Sequence, residues 1–238
     1  MKYNALPYLG PSRSKLSAFA RFVNKASGKL HFPLELRPRF DHRNHMLSIE
    51  QATNFQLLIE RLLETGVPGA FVEIGSYTGS SAAVIGSLMS HGPDRREFHV
   101  YDRFDIELGA QRNIQEVFVR TLSEQGVAIP TMHVGDVFET IPGELPDKIA
   151  FVHLDCGIGG GVAAQTPLMM HCLNGFYPRL AKDGVAVFMD YHDPATTLDG
   201  SDSNPGVRIA CDAFFADKPE AVTPIYGGPC SHAYIRKR

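Results

Sequence analysis

Nowhere does this sequence hold 18 consecutive apolar residues, so no membrane-spanning helix and no membrane partner are expected of it. Its opening residues, "MKYNALPYLGPSRSKLSAFARF", also lack the continuous apolar stretch of a secretory signal, and the expected compartment is the cytoplasm. Cysteine is scarce. Cys156, Cys172, Cys211 and Cys230 stand far apart without a Cys-x-x-Cys pair, which argues against both a zinc ribbon and a disulfide framework. Net charge is nearly absent too: a formal charge of −3 over 238 residues gives no electrostatic case for a nucleic-acid partner.

The charge that is present is unevenly placed. Residues 1–45 carry nine Lys or Arg against two acids, which leaves the remainder acidic. We expect residues 1–47 to form a basic helical arm or lid, ahead of one domain over 48–238 that is long enough to bury a large core. Ser48 followed by Gln51 reads as a capping box, with Ile49, Ala52, Phe55, Leu58 and Leu62 on one helical stripe. Apolar runs then recur at 70–74, 97–104, 131–136, 148–156 and 184–191, with helical candidates at 110–125 and 167–180 between them. Alternation of this kind predicts an α/β fold with a doubly wound, mostly parallel sheet. The end differs: Asn204-Pro205 starts a helix over "GVRIACDAFFAD", and "AVTPIYGG" with "CSHAYIRKR" reads as an antiparallel hairpin.

The stretch "AFVEIGSYTGSSAAVIG", 70–86, passes from strand through a tight turn into a helix of small residues. Glycine at each end of the turn lets the chain bend and lets a ligand approach bare backbone. A dinucleotide-binding turn uses Gly-x-Gly-x-x-Gly. Here the pattern is Glu73-x-Gly75-x-x-x-Gly79, with Ser76 where a second glycine would stand, which argues against a nicotinamide or flavin dinucleotide. Glu73 at the strand tip would repel phosphate and suit a cationic group such as an α-amine.

In a parallel sheet the carboxyl ends of the strands share one edge, and ligands bind there. This chain puts an acid at or just past each of its five predicted strand ends: Glu73, Asp102, Asp136, Asp155 and Asp190. Asp102, 27 residues past Gly75, can accept both hydroxyls of a ribose, and Asp136 the exocyclic amine of a purine. On neighbouring strands, about 4.8 Å apart, Asp155 and Asp190 would repel unless something positive lay between them, and a hard ion such as Mg²⁺ prefers such oxygen donors. His192 follows as a candidate base. His153, which points the same way as Asp155 but one step deeper, reads as a hydrogen-bonded core histidine.

Taken together, "VEIGSYTGSS", Asp102, "GDVFETIP", "IAFVHLDC" and "FYPRLAKDGVAVFMDY" resemble the class I S-adenosylmethionine-dependent methyltransferases. More narrowly they resemble the macrocin- and mycinamicin-type sugar O-methyltransferases and, at the metal site, catechol O-methyltransferases; the likeness runs from about Asn44 to the end and includes "NPGVRIACDAFFADKPE". The resemblance implies a Rossmann-like fold. It implies that Glu73, Gly75 and Ser76 hold the methionine part of S-adenosylmethionine, beside Gly79, Ser80 and Ser81 of the same turn. Asp102 and Arg103 would serve the ribose, and Asp136, Val137 and Phe138 the adenine. Asp155 would border the cofactor and, with Asp190, bind Mg²⁺, while His192 and Asp155 act catalytically. Two departures stand out: macrocin-type enzymes usually read Leu-Asp-Gly-Asp-Leu-Tyr-Glu where this chain has "LDCGIGGGVAAQ", and Asp-Asp-Tyr where it has Met189-Asp190-Tyr191. The expected activity is methylation of a hydroxyl on a small molecule, such as a natural-product sugar, by a homodimer with Mg²⁺ assistance. The alternatives are a metal-independent small-molecule methyltransferase and a non-catalytic cofactor-binding protein.

Overall fold

A computed structural model describes residues 18–32, 47–92, 95–108, 111–157, 161–192, 204–227 and 231–238. Its strands are β1 Ala70–Ile74, β2 Phe98–Asp102, β3 Thr131–Val134, β4 Ile149–Leu154, β5 Leu180–Phe188, β6 Thr223–Ile225 and β7 His232–Arg236. Its helices are α1 Ala18–Lys29, α2 Ile49–Glu64, α3 Ser80–Met89, α4 Ile114–Glu124, α5 Val137–Thr140, α6 Gly161–Phe176 and α7 Pro205–Phe215. The strands form one sheet in the order β3-β2-β1-β4-β5-β7-β6. β1 to β5 pair in parallel, whereas β7 runs antiparallel to both β5 and β6. This is the expected doubly wound, mostly parallel, Rossmann-like sheet, with the antiparallel hairpin along one edge.

Every residue of β1 and β4 is buried, because helices cover both faces. Phe71, Phe151, Val185 and Val187 pack against α2, α3 and α4 on one side. Val72, Val152, Ala186 and Phe188 pack against α6 and α7 on the other. Sequence-adjacent residues thus serve opposite cores, which is why these strands read as unbroken apolar runs.

The capping box on α2 forms as expected: the Ser48 hydroxyl accepts from Gln51 N–H at 3.0 Å, and Gln51 Oε1 accepts from Ser48 N–H at 2.8 Å. The buried stripe is shifted from the expected one. Ala52, Phe55, Ile59 and Leu62 face the core, while Ile49 at the first helical position is exposed. α6 begins at Gly161, six residues before the expected start at 167, and carries Pro167 within it. β5 starts at Leu180 rather than 184; the stretch through Asp183, at φ +64°, breaks the register with β4 and is not an apolar run. Of the basic arm, 1–17 and 33–46 lie outside the described residues, as do Cys230 and most of the glycine-rich departure between Gly157 and Gly161. Among the described residues no helix is long and apolar enough to cross a membrane, and Cys156, Cys172 and Cys211 are free thiols.

Candidate active site

β1 leads out to β2 and β3, whereas β4 leads the other way to β5, so the strand order reverses between β1 and β4. A crevice at the carboxyl ends of the strands is the expected ligand site of such a sheet. A cavity of about 410 Å³ opens there. It is lined by Gly75, Ser76, Ser80 and Ser81 from the first turn, by Asp102 and Arg103 past β2, by Asp136 and Val137 past β3, and by Asp155, Cys156 and Gly157 past β4. The acids expected along one edge past β2, β3 and β4 are therefore brought into one wall.

The glycines of the turn are needed for a reason other than ligand approach. Gly75 lies at φ +83°, and a Cβ there would fall 1.9 Å from the Asp155 carbonyl oxygen. Gly79, at φ +85°, would drive a Cβ to 2.8 Å from both Leu122 and Phe118 on α4. Both therefore serve close packing of protein against protein, the first joining β1 to β4.

Asp102 anchors this turn. Its Oδ2 accepts from the N–H groups of Ser76 (2.6 Å) and Tyr77 (2.8 Å), and its Oδ1 from Phe104 N–H (2.7 Å). A carboxylate has about four lone-pair sites, so one remains for a ligand hydroxyl. Asp136 caps α5 by accepting from Phe138 N–H at 3.0 Å. Val137 reaches the cavity, whereas the half-exposed Phe138 ring packs against His171 at 4.7 Å and is not among the lining residues. Arg103 bridges to Asp105 at 2.7 Å and faces Asp136 at 3.8 Å.

Glu73 sits one layer beneath the cavity. Wholly buried, it accepts from His153 Nδ1–H at 2.7 Å, and it is His153 that reaches the lining. Glu73 Oε2 and His153 Nε2 are buried without hydrogen-bond partners, as is the Ser76 hydroxyl in the cavity wall. Orphaned buried polar atoms are costly, and the orphaned Ser76 hydroxyl in an acidic wall fits a bound molecule that is cationic and polar at one end. S-adenosylmethionine, with its sulfonium and α-amine, is such a molecule.

Asp155 lines the cavity, and Asp190, past the neighbouring strand β5, is close enough for its charge to act on it but is not itself among the lining residues. The Asp155 carboxyl is pushed up to about 7, by burial first and by the Asp190 charge second, partly offset by His153. Asp190 lies at φ +57°, a backbone region that Asp tolerates better than most residues. Its Oδ2 accepts from Asn204 Nδ2–H at 2.6 Å. A Cβ on Gly157 would come within 2.5 Å of Asn204 Nδ2 and 3.0 Å of Asp190 Oδ2. The first glycine of the departure from the macrocin-type pattern thus makes room for the Asp190–Asn204 pair. Two carboxylates with water completing the shell is an ordinary oxygen set for Mg²⁺, and the pair fits that ion; no group of three or more His, Cys, Asp or Glu suited to a metal occurs among the described residues.

α7 holds the segment after β5. Tyr191 donates its hydroxyl hydrogen to Asp212 at 2.6 Å, and Arg208 donates to the His192 carbonyl at 3.3 Å. His192 is buried, and its ring is not among the residues lining the cavity. Several lining residues escaped sequence reasoning: Leu47, Tyr77, Ile106, Leu108, Leu168 and Asn204. Asn204 carried a signal, the "NPG" start of α7, but that explained it fully as a helix terminus.

Against known proteins, the profile of a family described as a methyltransferase domain matches residues 72–191. The chain is 27% identical over 168 residues to the 8-demethyl-8-(2,3-dimethoxy-alpha-L-rhamnosyl)-tetracenomycin-C 4'-O-methyltransferase of Streptomyces olivaceus, a match covering 61% of this chain and 62% of that protein's length. Its fold is similar to that of the O-methyltransferase NovP, with a TM-score of 0.64 at 17% identity over 84% of this chain and 88% of the other. It is also similar to CalS11, a TDP-rhamnose 3'-O-methyltransferase of calicheamicin biosynthesis, with a TM-score of 0.57 at 19% identity over 94% and 96%.

Proposed function

We propose that this chain, which belongs to the methyltransferase domain family and depends on S-adenosylmethionine, transfers a methyl group to a hydroxyl of a sugar-bearing natural product. The observation that carries the reading is Asp155 in the cavity wall beside the β1 turn, under the charge of Asp190, which lies behind the lining residue Asn204; an acceptor oxygen would meet the cofactor's methyl group at that wall. The relatives that methylate rhamnose-type sugars support the substrate class.

Methyl transfer to an alcohol requires alignment of oxygen, carbon and sulfur, and positioning supplies most of the rate. Gly75, Ser76 and Ser80 shape the wall for the methionine part; Asp102 offers its remaining lone pair to the ribose; Asp136 and Val137 border the adenine. Above neutral pH the Asp155–Asp190 pair draws in positive charge. Mg²⁺, when bound there, would act as a Lewis acid toward the acceptor hydroxyl. The residue proposed to take the proton is Asp155, which lines the cavity and whose carboxyl, pushed up to about 7, is suited to exchange a proton near neutrality; His192, the base expected from the sequence, is buried off the lining, with Arg208 holding its backbone carbonyl.

Cofactor binding is tested by calorimetry with S-adenosylhomocysteine. Asp102→Ala strands three backbone N–H donors, and each hydrogen bond to a charged group contributes about 1.5–3 kcal/mol. Affinity should fall by at least about tenfold. Unchanged affinity would remove Asp102 from the site.

The arm supports a further part of the reading. Leu47, its last residue, is buried and lines the cavity. Phe19, Phe22, Leu30 and Phe32 on and after α1 are large, apolar and exposed. A second copy of the chain is the proposed cover, giving a homodimer with the arm as a lid. Light scattering should report a dimer, and removing residues 1–40 should lower activity; a monomer whose activity survives that truncation contradicts this.

A further inference from the structure

The sheet's edge strand carries a histidine pair outside the cavity. On one face of β2 and β3, His99 Nδ1 lies 3.1 Å from His133 Nε2, with the rings 19° apart in plane. His133 also stacks flat on Tyr101, at 4.2 Å and 3°. Each ring offers its other nitrogen to a carboxylate: His133 Nδ1 to Glu144 at 2.6 Å, and His99 Nε2 to Glu97 at 3.3 Å. With both carboxylates accepting, those two nitrogens carry the protons. In neutral rings the facing nitrogens, Nδ1 of His99 and Nε2 of His133, then both present lone pairs. Two lone pairs at 3.1 Å repel unless a positive charge lies between them.

We propose that His99 and His133 bind a divalent transition-metal ion such as Zn²⁺, at a site separate from the methyl-transfer cavity. Zinc–imidazole bonds of 2.0–2.1 Å in a tetrahedron put neighbouring nitrogens roughly 3.3–3.4 Å apart, close to the 3.1 Å present here. The outer carboxylates match the arrangement in which a ligating histidine gives its second N–H to an acid that fixes its tautomer. No third His, Cys, Asp or Glu completes a cluster among the described residues, so water fills the remaining positions. His99 and Glu144 line a second, open cavity of about 780 Å³, which gives the ion a path in. The ion would tie β3, a four-residue edge strand, to β2, protecting a strand with unpaired backbone groups.

Titration calorimetry of the full chain with zinc chloride, in excess Mg²⁺ to occupy the hard oxygen site, tests this. One equivalent of Zn²⁺ should bind and raise the melting temperature. His99→Gln should weaken that binding at least tenfold, Glu144→Gln should weaken it by roughly tenfold through the outer carboxylate alone, and His91→Gln, at an exposed histidine, should leave it unchanged. His133→Phe preserves the stack on Tyr101 and should abolish the zinc-dependent melting shift. Circular dichroism and S-adenosylhomocysteine affinity report whether each variant has folded. No zinc binding by the native chain, or the same isotherm in folded His99→Gln and His133→Phe, overturns the proposal and leaves a shared proton as the charge between the rings.

Discussion

Asp155→Asn and Asp190→Asn should each cut methyl transfer by about 10²–10³-fold, the loss typical when one preorganised electrostatic group is removed, while S-adenosylhomocysteine still binds. Folding should survive both changes. Asparagine resembles the protonated acid, and the Asp155 carboxyl is already held near 7 by burial and by its neighbour. Removing one of two converging negative charges should therefore raise the melting temperature slightly above neutral pH. Chelator should stop the native enzyme, and added Mg²⁺ should restore it. Turnover and stability measured on the same preparations separate the readings: a variant that melts earlier and loses cofactor binding marks a structural acid, whereas one that melts later and fails to turn over marks a catalytic one. Full activity in excess chelator would exclude the metal and leave Asp155 as the proton acceptor in the cavity wall.

Gly75→Ala should destabilise the protein more than any other single methyl added in the turn. Its Cβ would lie 1.9 Å from the Asp155 carbonyl oxygen. Neither side can retreat easily, because Gly75 N–H donates to the Tyr101 carbonyl at 2.8 Å and Asp155 N–H to the Ile74 carbonyl at 2.8 Å. Strain at positive φ costs about 1–3 kcal/mol and overpacking about 1–3 kcal/mol more. Gly66→Ala supplies the control, since Gly66 has φ +65° but nothing within 4 Å of its Cβ position. Urea midpoints should thus show a modest loss for Gly66→Ala and a loss of roughly 2–6 kcal/mol for Gly75→Ala, with cofactor affinity falling only in the latter. Equal losses would mean that the contact with Asp155 relaxes freely.

That glycine shows where the sequence could be read and where it could not. Its place in a strand-to-helix turn was legible, because β1 is buried on both faces and ends abruptly. Its partner was not, since nothing local in "EIGSYTG" says that Asp155, eighty residues on, presses its carbonyl against that turn. The strand-end acids were legible for a topological reason: parallel strands share one polar edge, so position along each strand predicts proximity between strands. Glu73 obeyed the topology, yet its side chain turned under His153 rather than into the cavity, a choice made by packing around a buried pair. The starts of β5 and α6 were misplaced because Lys182-Asp183 interrupts the apolar run of one, and Pro167, which most often opens a helix, lies inside the other. Asn204 was hidden by an adequate local explanation. Tyr77, Ile106 and Leu108 come from a turn and a loop with no periodicity, and only the folded chain places them at the cavity.

The most direct measurement is transfer of a ¹³C-labelled methyl group from S-adenosylmethionine to a panel of rhamnose-bearing natural products, nucleotide-linked deoxysugars, phenols and catechols, followed by NMR of the products. A single labelled methyl ether on a sugar oxygen is expected, formed by the native chain with Mg²⁺ and lost in Asp155→Asn. A labelled methyl on nitrogen, or tight S-adenosylhomocysteine binding with no labelled product from any hydroxylated acceptor, would contradict it.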